Sequence, residues 1–327
     1  MEYTHLGRTG LSVSRLCLGT MNFGPLTDEP TSHGIMDAAH DAGINFFDTA
    51  NVYGRAVSVG LTEEIVGNWF ATGGGRREKT VIATKLYGEL AGEGHDDKWP
   101  NSGKLSALNI RRALDKSLQR LQTDYIDLYQ FHHIDRDTPW EEIWQAMDVA
   151  VQQGKVLYVG SSNFAGWHIA QAQEAAARRN FVGLVSEQSI YNLLKREIEL
   201  EVIPAAEHYG LGLIPWSPLQ GGLLGGVIKK IEEGSRRNDR SEELEQNRAA
   251  IQGFEDLATQ VGHTAGELAL AWLLAQPVVT APIIGPRTPD QLDSALKTVD
   301  ISLDTATLDK LDELFPGHKP APEDYAW

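Results

Sequence analysis

Eight short apolar segments alternate with helical segments along this chain, and this alternation limits the possible folds more than any other feature. The apolar segments are LCLGT, FFDTA, TVIATK, YIDLYQFH, VLYVGSSN, LVSEQSIY, LGLIPWSP and VVTAPIIG. Helical connections between apolar strands predict a parallel sheet covered by helices, which leaves an open doubly wound sheet or a closed (β/α)8 TIM barrel. The number of strands favours the barrel.

Two further regions complete the predicted architecture. Ahead of the barrel, YTHL and LSVSRL joined by GRTG predict an N-terminal β-hairpin. No linker rich in Pro, Gly and Ser divides the chain, so residues 1–327 are expected to form one domain. Residues 219–250 follow the seventh strand, and six basic and six acidic residues lie between Val227 and Arg248. We expect a mobile charged loop there, either a solvated surface segment or a lid over a ligand.

Composition excludes several classes of partner. The net charge is −16 at pH 7 and no basic run compensates it, so we expect no nucleic acid and no membrane as partner. The single cysteine, Cys17, cannot form an internal disulfide, which fits a reducing compartment. The first residues lack a signal-peptide pattern, and the apolar stretch Leu268 to Ala275 is too short to span a bilayer. These features predict a cytoplasmic protein.

Polar side chains end three consecutive strands of the predicted barrel. Asp48 ends FFD, Lys85 ends TVIATK and His132 ends YIDLYQFH, while Tyr53 lies in the loop after Asp48. Active sites of such barrels lie at the carboxyl ends of the strands, and neighbouring strands are about 4.8 Å apart. We therefore expect these four side chains to meet.

Together the four groups suit a proton transfer to a substrate oxygen. The ordinary pKa of tyrosine is about 10, and an adjacent ammonium group stabilises the phenolate, so Lys85 should make Tyr53 a better acid. Asp48 would keep Lys85 charged. His132 could orient the oxygen of a substrate. Protonation of oxygen in this way calls for a source of electrons at carbon.

Each of these residues also has an ordinary structural interpretation. Alone, Asp48 would be read as a turn former, Tyr53 as a partly buried aromatic and Lys85 as a surface residue, and only their shared position favours catalysis. His132 and His133 suggest a metal ligand pair with Asp135, but consecutive residues of a regular strand face opposite ways. We therefore predict no metal.

The motifs Asp48-x4-Tyr53-Gly54, Thr84-Lys85 and Asp127-Leu-Tyr-Gln-x-His132 resemble those of the aldo-keto reductase superfamily. The resemblance continues through GSSNF after the fifth strand, SEQSIYN, IPWSPLQGG and IIGPRTPDQL, and so covers nearly the whole chain. The hairpin and the GTMNFG segment are most similar to the bacterial and potassium-channel-β branch.

The resemblance implies an NADPH-dependent reductase of aldehydes or ketones, including keto or enoyl sugars. It makes Tyr53 the general acid, Asp48 and Lys85 its tuning groups, and His132 the group that orients the carbonyl. The cofactor contacts it implies are Ser162, Asn163, Gln188, Trp216, Ser217, Leu219, Gly221, Arg287 and Gln291. It also implies a homo-oligomer, a tetramer or an octamer. No G-x-G-x-x-G motif follows a strand, which agrees with a dinucleotide held outside a Rossmann fold.

Some positions depart from the family pattern or carry little signal. Ser294 and Ala295 stand where relatives often have Glu-Asn against adenine, whereas Arg287 suits the 2′-phosphate of NADPH and favours NADPH over NADH. Trp216 could be a core residue, and Gly221 could belong to an ordinary turn. Aromatic residues in loops and at the tail are candidates for the wall of a substrate pocket, or for local packing; they are Phe23, Tyr87, Trp99 and Trp327.

Two other functions stay open at this point. By resemblance to the channel-β branch, the barrel could bind NADPH as a sensing or regulatory subunit with slow turnover. Alternatively, Lys85 could form a Schiff base with a carbonyl substrate, as in aldolase-type barrels, although Asp48 beside it favours a permanently charged lysine.

Overall fold

A computed structural model describes residues 1–54, 56–88, 100–234 and 241–326. Within them, β1 (Tyr3–His5) and β2 (Ser12–Ser14) form the expected antiparallel hairpin. The barrel strands are β3 (Cys17–Gly19), β4 (Phe46–Asp48), β5 (Val81–Leu86), β6 (Ile126–Phe131), β7 (Val156–Ser162), β8 (Leu184–Gln188), β9 (Gly212–Leu213) and β10 (Ile283–Ile284).

These eight strands form one parallel sheet in the order β10-β3-β4-β5-β6-β7-β8-β9. The two end strands meet through the segment that leads into β10, where the Thr280 amide donates to the Leu213 carbonyl at 2.8 Å. The Ile283 amide likewise donates to the Pro215 carbonyl at 2.8 Å. The predicted (β/α)8 barrel is therefore confirmed, and its strands all place their carboxyl ends at the same mouth.

The helices pack around the sheet. They are α1 (Glu29–Asp41), α2 (Leu61–Ala71), α3 (Ala107–Leu121), α4 (Trp140–Gln152), α5 (Gly166–Ala177), α6 (Val202–Tyr209), α7 (Val227–Glu232), α8 (Ser241–Gln260), α9 (Ala265–Ala275), α10 (Pro289–Leu296) and α11 (Thr305–Leu314). Helix α3 shows why they form: Ser106 caps its first turn, and its buried Ile110, Ala113 and Leu114 recur at helical spacing. Its apolar face therefore turns toward the strands.

The hairpin closes the amino-terminal end of the barrel. Leu6 and Val13 are fully buried, in one cluster with inward-facing strand residues such as Phe46 and Leu128. Gly7 lies at the turn with a φ of 54°, and a Cβ atom there would lie 2.6 Å from the Val185 carbonyl oxygen. This close approach requires glycine and seats the hairpin directly against the barrel strands.

The charged segment after the seventh barrel strand is not a continuous loop. Its described parts include α7 and the first half of α8, and the side chains they bury form a small apolar cluster: Leu223, Val227, Ile228, Leu244 and Ile251. The expectation of a loop is therefore wrong for these stretches, because apolar residues at helical spacing anchor them beneath the charges. Residues 235–240 lie outside the described part, and the mobility of the segment stays a prediction.

Among the described residues, no helix combines the length and the apolar character that crossing a membrane requires.

Candidate active site

The mouth of the barrel brings together the acid, the lysine and the phenol. Asp48 is the last residue of β4, and Lys85 lies on the neighbouring β5. The ammonium nitrogen of Lys85 lies 2.6 Å from Oδ2 of Asp48 and 3.1 Å from the hydroxyl oxygen of Tyr53, and it also donates to the Thr49 carbonyl at 2.9 Å. Lys85 is fully buried and Asp48 is 2% exposed, while Tyr53 is half-buried. Of the three groups, the phenol therefore faces the opening.

Two glutamines hold the second oxygen of Asp48. The side-chain amide of Gln188 donates to Oδ1 of Asp48 at 2.8 Å, and that of Gln130 donates to the same oxygen at 3.2 Å. Sequence reasoning missed Gln130, which lies on β6 beside Lys85 in the register between β5 and β6. The family resemblance assigns Gln188 as a contact of the nicotinamide. The structure shows that Gln188 is also a buried hydrogen-bond partner of Asp48.

For both Lys85 and Tyr53, burial and the neighbouring charge shift the pKa in opposite directions. Burial alone would lower the pKa of Lys85, but the charge of Asp48 and the hydrogen bonds to Asp48 and Tyr53 raise the pKa above its ordinary value. The ammonium group therefore stays charged. Burial raises the pKa of Tyr53, and the charge of Lys85 only partly offsets this effect. As expected, the charge of Lys85 lowers the pKa of Tyr53. The pKa of Tyr53 nevertheless lies above its ordinary value, because burial has the larger effect, so the expectation of a more acidic phenol is wrong for the net shift.

His132 follows β6 and contributes a neutral imidazole. Its ring lies edge-on to the Tyr53 ring, with centroids 6.0 Å apart. Burial, aided by the charge of Lys85, lowers the pKa of His132 to about 2, so the ring does not carry a charge near neutral pH. The ring of His133 stacks on it at 4.9 Å. In a regular strand the two rings would face opposite ways. Here they stack on each other, because β6 ends at Phe131.

Asn163 connects His132 to the aromatic residue expected at the nicotinamide. The side-chain amide of Asn163 donates to the His132 carbonyl at 3.2 Å and to Oγ of Ser162 at 3.0 Å. Its side-chain oxygen accepts a bond from the indole N–H of Trp216 at 3.1 Å. Asn163 adopts a left-handed backbone with a φ of 59°. Ser162, Asn163 and Trp216 therefore line one side of the mouth, next to the catalytic candidates.

The loop after β9 continues this side of the mouth. Ser217 and Gly221 have positive φ values of 56° and 61°, and Leu219 lies half-buried between them. The side-chain amide of Asn192 donates to the Ser217 carbonyl at 3.0 Å and to Oε1 of Gln220 at 3.0 Å. Sequence reasoning missed Asn192, which fixes the loop from the SIYN segment.

Arg287 and Gln291 lie at the start of α10, and both are exposed. The Arg287 amide donates to the Gln291 side-chain oxygen at 2.8 Å, which ties the loop to the helix. Within the described residues, the Arg287 guanidinium has no carboxylate at ion-pair distance. The hydroxyl group of Ser294 donates to Oε1 of Glu267 at 3.4 Å. Ala295 is buried in the core, so it presents no polar side chain to a ligand.

The residues proposed for the pocket wall differ in their burial and position. Phe23 is fully buried in the core, because its loop folds back and Thr62 donates to the Phe23 carbonyl at 2.9 Å. Its assignment to the pocket surface is wrong. Tyr87 is half-buried and packs edge-on against His133 at 5.3 Å, close to the mouth. Trp99 and Trp327 lie outside the described residues.

The fold is a (β/α)8 barrel, and comparison with known proteins makes the chain an oxidoreductase. Residues 15–315 match the model of the aldo/keto reductase family, so the chain belongs to this family. The family generally uses nicotinamide cofactors. The chain is therefore an oxidoreductase of the carbonyl-reducing kind.

Three relatives illustrate the range of similar proteins. The chain is 56% identical over 100% of both proteins to an uncharacterized oxidoreductase, YrpG, of Bacillus subtilis. It is 34% identical to versiconal hemiacetal acetate reductase of Aspergillus parasiticus, over 96% of each chain. It is also 34% identical to a probable voltage-gated potassium channel subunit beta of Arabidopsis thaliana, over 99% of this chain and 100% of the relative.

Proposed function

We propose that the protein reduces an aldehyde or a ketone to the alcohol, with NADPH as the reductant and Tyr53 as the proton donor. The observation that carries this proposal is the contact of 3.1 Å between the buried ammonium group of Lys85 and the hydroxyl group of Tyr53. A phenol that faces the opening and rests on a fixed positive charge can give up a proton and be stabilised as the anion.

The chain itself supplies the proton and the orientation of the substrate. The carbonyl carbon receives a hydride while its oxygen takes the proton of Tyr53, and the resulting phenolate is stabilised by Lys85 until solvent returns a proton. His132 is neutral, so it can donate a hydrogen bond to the same oxygen without a competing charge. Asp48 holds Lys85 in place through the bond of 2.6 Å.

The residues around the mouth fit a dinucleotide. A bound reduced nicotinamide dinucleotide would supply the hydride. Trp216, held by Asn163, offers a flat aromatic surface beside the catalytic groups, and Gln188 and Ser162 lie behind them. Arg287 is an exposed cation without a carboxylate partner among the described residues, in a chain of net charge −16. Such a cation suits the 2′-phosphate that distinguishes NADPH from NADH.

The contacts of Lys85 argue against the Schiff-base alternative. A Schiff base needs an uncharged amine as nucleophile, whereas burial beside Asp48 leaves the pKa of Lys85 above its ordinary value. Its three hydrogen bonds, to Asp48, the Thr49 carbonyl and Tyr53, also occupy all three protons of the ammonium group.

A sensing role is the second candidate, because the relative in Arabidopsis thaliana is described as a channel subunit. It requires the same dinucleotide site and differs in turnover. Tight binding of NADPH with almost no consumption would favour this role.

The test follows the absorbance of NADPH, and of NADH in parallel, as the purified protein meets aromatic aldehydes, dicarbonyls and keto sugars. We expect carbonyl-dependent oxidation of NADPH and formation of one alcohol per dinucleotide consumed. Borohydride in the absence of NADPH should not attach a substrate to Lys85. Covalent trapping there, or no consumption with any carbonyl, would contradict the proposed reduction.

A further inference from the structure

A buried carboxyl group outside the proton-transfer site lies directly behind the proposed dinucleotide site. Glu187 is on β8, next to Gln188, and its side chain is fully buried. No cation lies within ion-pair distance of it among the described residues. A carboxyl group is costly to bury without a countercharge, so its presence in the strand LVSEQ requires another explanation.

Three donors from two segments meet this carboxyl group. The hydroxyl group of Ser161 donates to Oε2, while the hydroxyl group of Ser189 and the backbone amide of Phe164 donate to Oε1 at 2.7 and 3.1 Å. Ser161 pairs with Glu187 in the register between β7 and β8. All three donor residues are at most 3% exposed, so none of them has water as an alternative acceptor.

The turn that Glu187 holds is the one that carries Asn163. The chain leaves β7 through Asn163, whose left-handed φ of 59° is a conformation that few residues other than glycine, asparagine and aspartate adopt. The amide of Asn163 donates to the Gln188 carbonyl at 3.0 Å, so β8 fixes the turn from both Gln188 and Glu187. The side chain of Asn163 then reaches the carbonyl of His132 and the indole of Trp216.

We propose that Glu187 is a positioning residue: its buried carboxyl group holds residues 161–164 in the left-handed turn that places Asn163 between His132 and Trp216. This inference rests on the proposed function, because its consequence is a preorganised dinucleotide site. Glu187 does not touch the reacting atoms and acts through the turn. Without its acceptor oxygens, the turn relaxes and the site must be formed again at each binding event.

A glutamine at this position should keep most of the arrangement. In E187Q, the single oxygen can accept from Ser189 and Phe164, and the amide can donate to the oxygen of Ser161. The Ser161 hydroxyl can then donate to the carbonyl of Ser186, which already lies 3.3 Å away. In E187M the side chain keeps its approximate size and offers no acceptor. The Phe164 amide and the Ser189 hydroxyl group then lose their partner, and the Ser161 hydroxyl group keeps only the Ser186 carbonyl.

The opposite end of β8 provides a matched control. Gln173 of α5 is 5% exposed, and its side chain exchanges two hydrogen bonds with the backbone of Leu184 at 2.7 and 3.1 Å. Q173M therefore removes buried hydrogen bonds from the same strand at its amino end. It should destabilise the protein without changing the turn.

The first measurement is hydrogen exchange of the dinucleotide-free protein, read by mass spectrometry on peptides that cover residues 161–166. We expect exchange about tenfold faster in E187M than in the wild type, and near-wild-type exchange in E187Q and Q173M. This outcome does not depend on what the protein reduces or binds. Unchanged exchange in E187M would overturn the proposal.

The second measurement is the Kd for NADPH of the same four proteins. A turn that adopts the competent conformation a tenth of the time raises the apparent Kd about tenfold. We expect this increase in E187M and less than about a threefold change in E187Q and Q173M. An equal increase of the Kd in Q173M would mean that Glu187 only stabilises the fold, and it would overturn the proposal. Failure of the wild type to bind any dinucleotide would refute the proposed function, while exchange would still decide the role of Glu187 in the turn.

If E187M does not fold, the double variant S161A/S189A takes its place, because it removes two of the three donors and leaves the carboxyl group. Faster exchange of the turn is again expected, and unchanged exchange would overturn the proposal.

Discussion

The ammonium nitrogen of Lys85 lies 3.1 Å from the hydroxyl oxygen of Tyr53, and it also lies 4.7 Å from the centre of the Tyr53 ring. The lysine is fully buried and the phenol half-buried, so solvent screens this contact only weakly. Burial keeps the phenol protonated at rest, and the fixed charge stabilises the anion once the proton has left. This combination suits a group that must hold its proton until a substrate oxygen arrives.

Replacement of Tyr53 by phenylalanine removes the proton donor and keeps the ring. We expect kcat to fall by about 10²- to 10⁴-fold. The Kd for NADPH should change less than about threefold, because the ring and Lys85 remain. Steady-state kinetics and fluorescence titration give the two values. Y209F, on the outer helix α6, is the control, and wild-type kcat in Y53F would rule out this phenol as the acid.

Replacement of Lys85 by methionine separates catalysis from stability. K85M leaves Asp48 buried without its cation, so the free energy of unfolding should fall by about 3–5 kcal/mol and kcat by at least about 100-fold. The double variant D48N/K85M should recover part of the stability and none of the rate.

Denaturant unfolding and kinetics of these variants test the role of the pair. K155M, which breaks the half-exposed contact to Asp115, should cost less than about 1 kcal/mol. Recovery of rate in the double variant would show that the charge of Lys85 is not required for turnover.

Replacement of Arg287 by glutamine tests the choice of dinucleotide. A charged hydrogen bond to phosphate contributes about 1.5–3 kcal/mol, so the Kd for NADPH should rise about 10- to 100-fold in R287Q. The Kd for NADH should change less than about threefold. Calorimetric titration measures both, with R112Q on the exposed face of α3 as control. Equal losses for both dinucleotides would place the 2′-phosphate elsewhere.

The ionisation of Glu187 should make stability depend on pH. Burial raises the pKa of Glu187 from 4.5 to about 7 in the folded protein. The folded state therefore holds a proton that the unfolded state releases, so the stabilisation is complete below about pH 4.5 and is lost as the pH rises to about 7.

Relative to E187Q, the wild type should thus lose free energy of unfolding over this interval, by at most about 3 kcal/mol. Denaturant unfolding of both proteins from pH 4.5 to 8 measures the difference. A constant difference across the interval would mean that the folded protein leaves the pKa of Glu187 near its ordinary value.

Much of the architecture was predictable because it follows local patterns. Apolar strands between amphipathic helices predicted the barrel, and parallel strands place their carboxyl ends together, so the contact of Asp48 with Lys85 followed from two positions in the sequence. Gln130 could have been found from its place inside an apolar strand, since a buried side-chain amide needs hydrogen-bond partners. The glutamate in LVSEQ was a further unused signal, since a charge in a buried strand needs partners.

Other features depended on tertiary contacts that no local pattern shows. Phe23 lies in a loop, where aromatic residues suggest a pocket, yet the loop folds onto α2 and buries the ring. The net pKa shift of Tyr53 depends on the balance between burial and charge, and only the folded structure gives the burial. Charged residues outnumber apolar ones between Val227 and Arg248, so the sequence predicted a loop there, and only the structure shows that the few apolar residues anchor α7 and α8.

The hairpin at the amino-terminal end of the barrel also limits how ligands of the proposed kind could reach the opposite end. Leu6, Gly7 and Val13 close the amino-terminal end, so a dinucleotide and a carbonyl compound that react at Tyr53 as proposed would use the same entrance. Under the proposed function, the two products would therefore compete for a single route of escape.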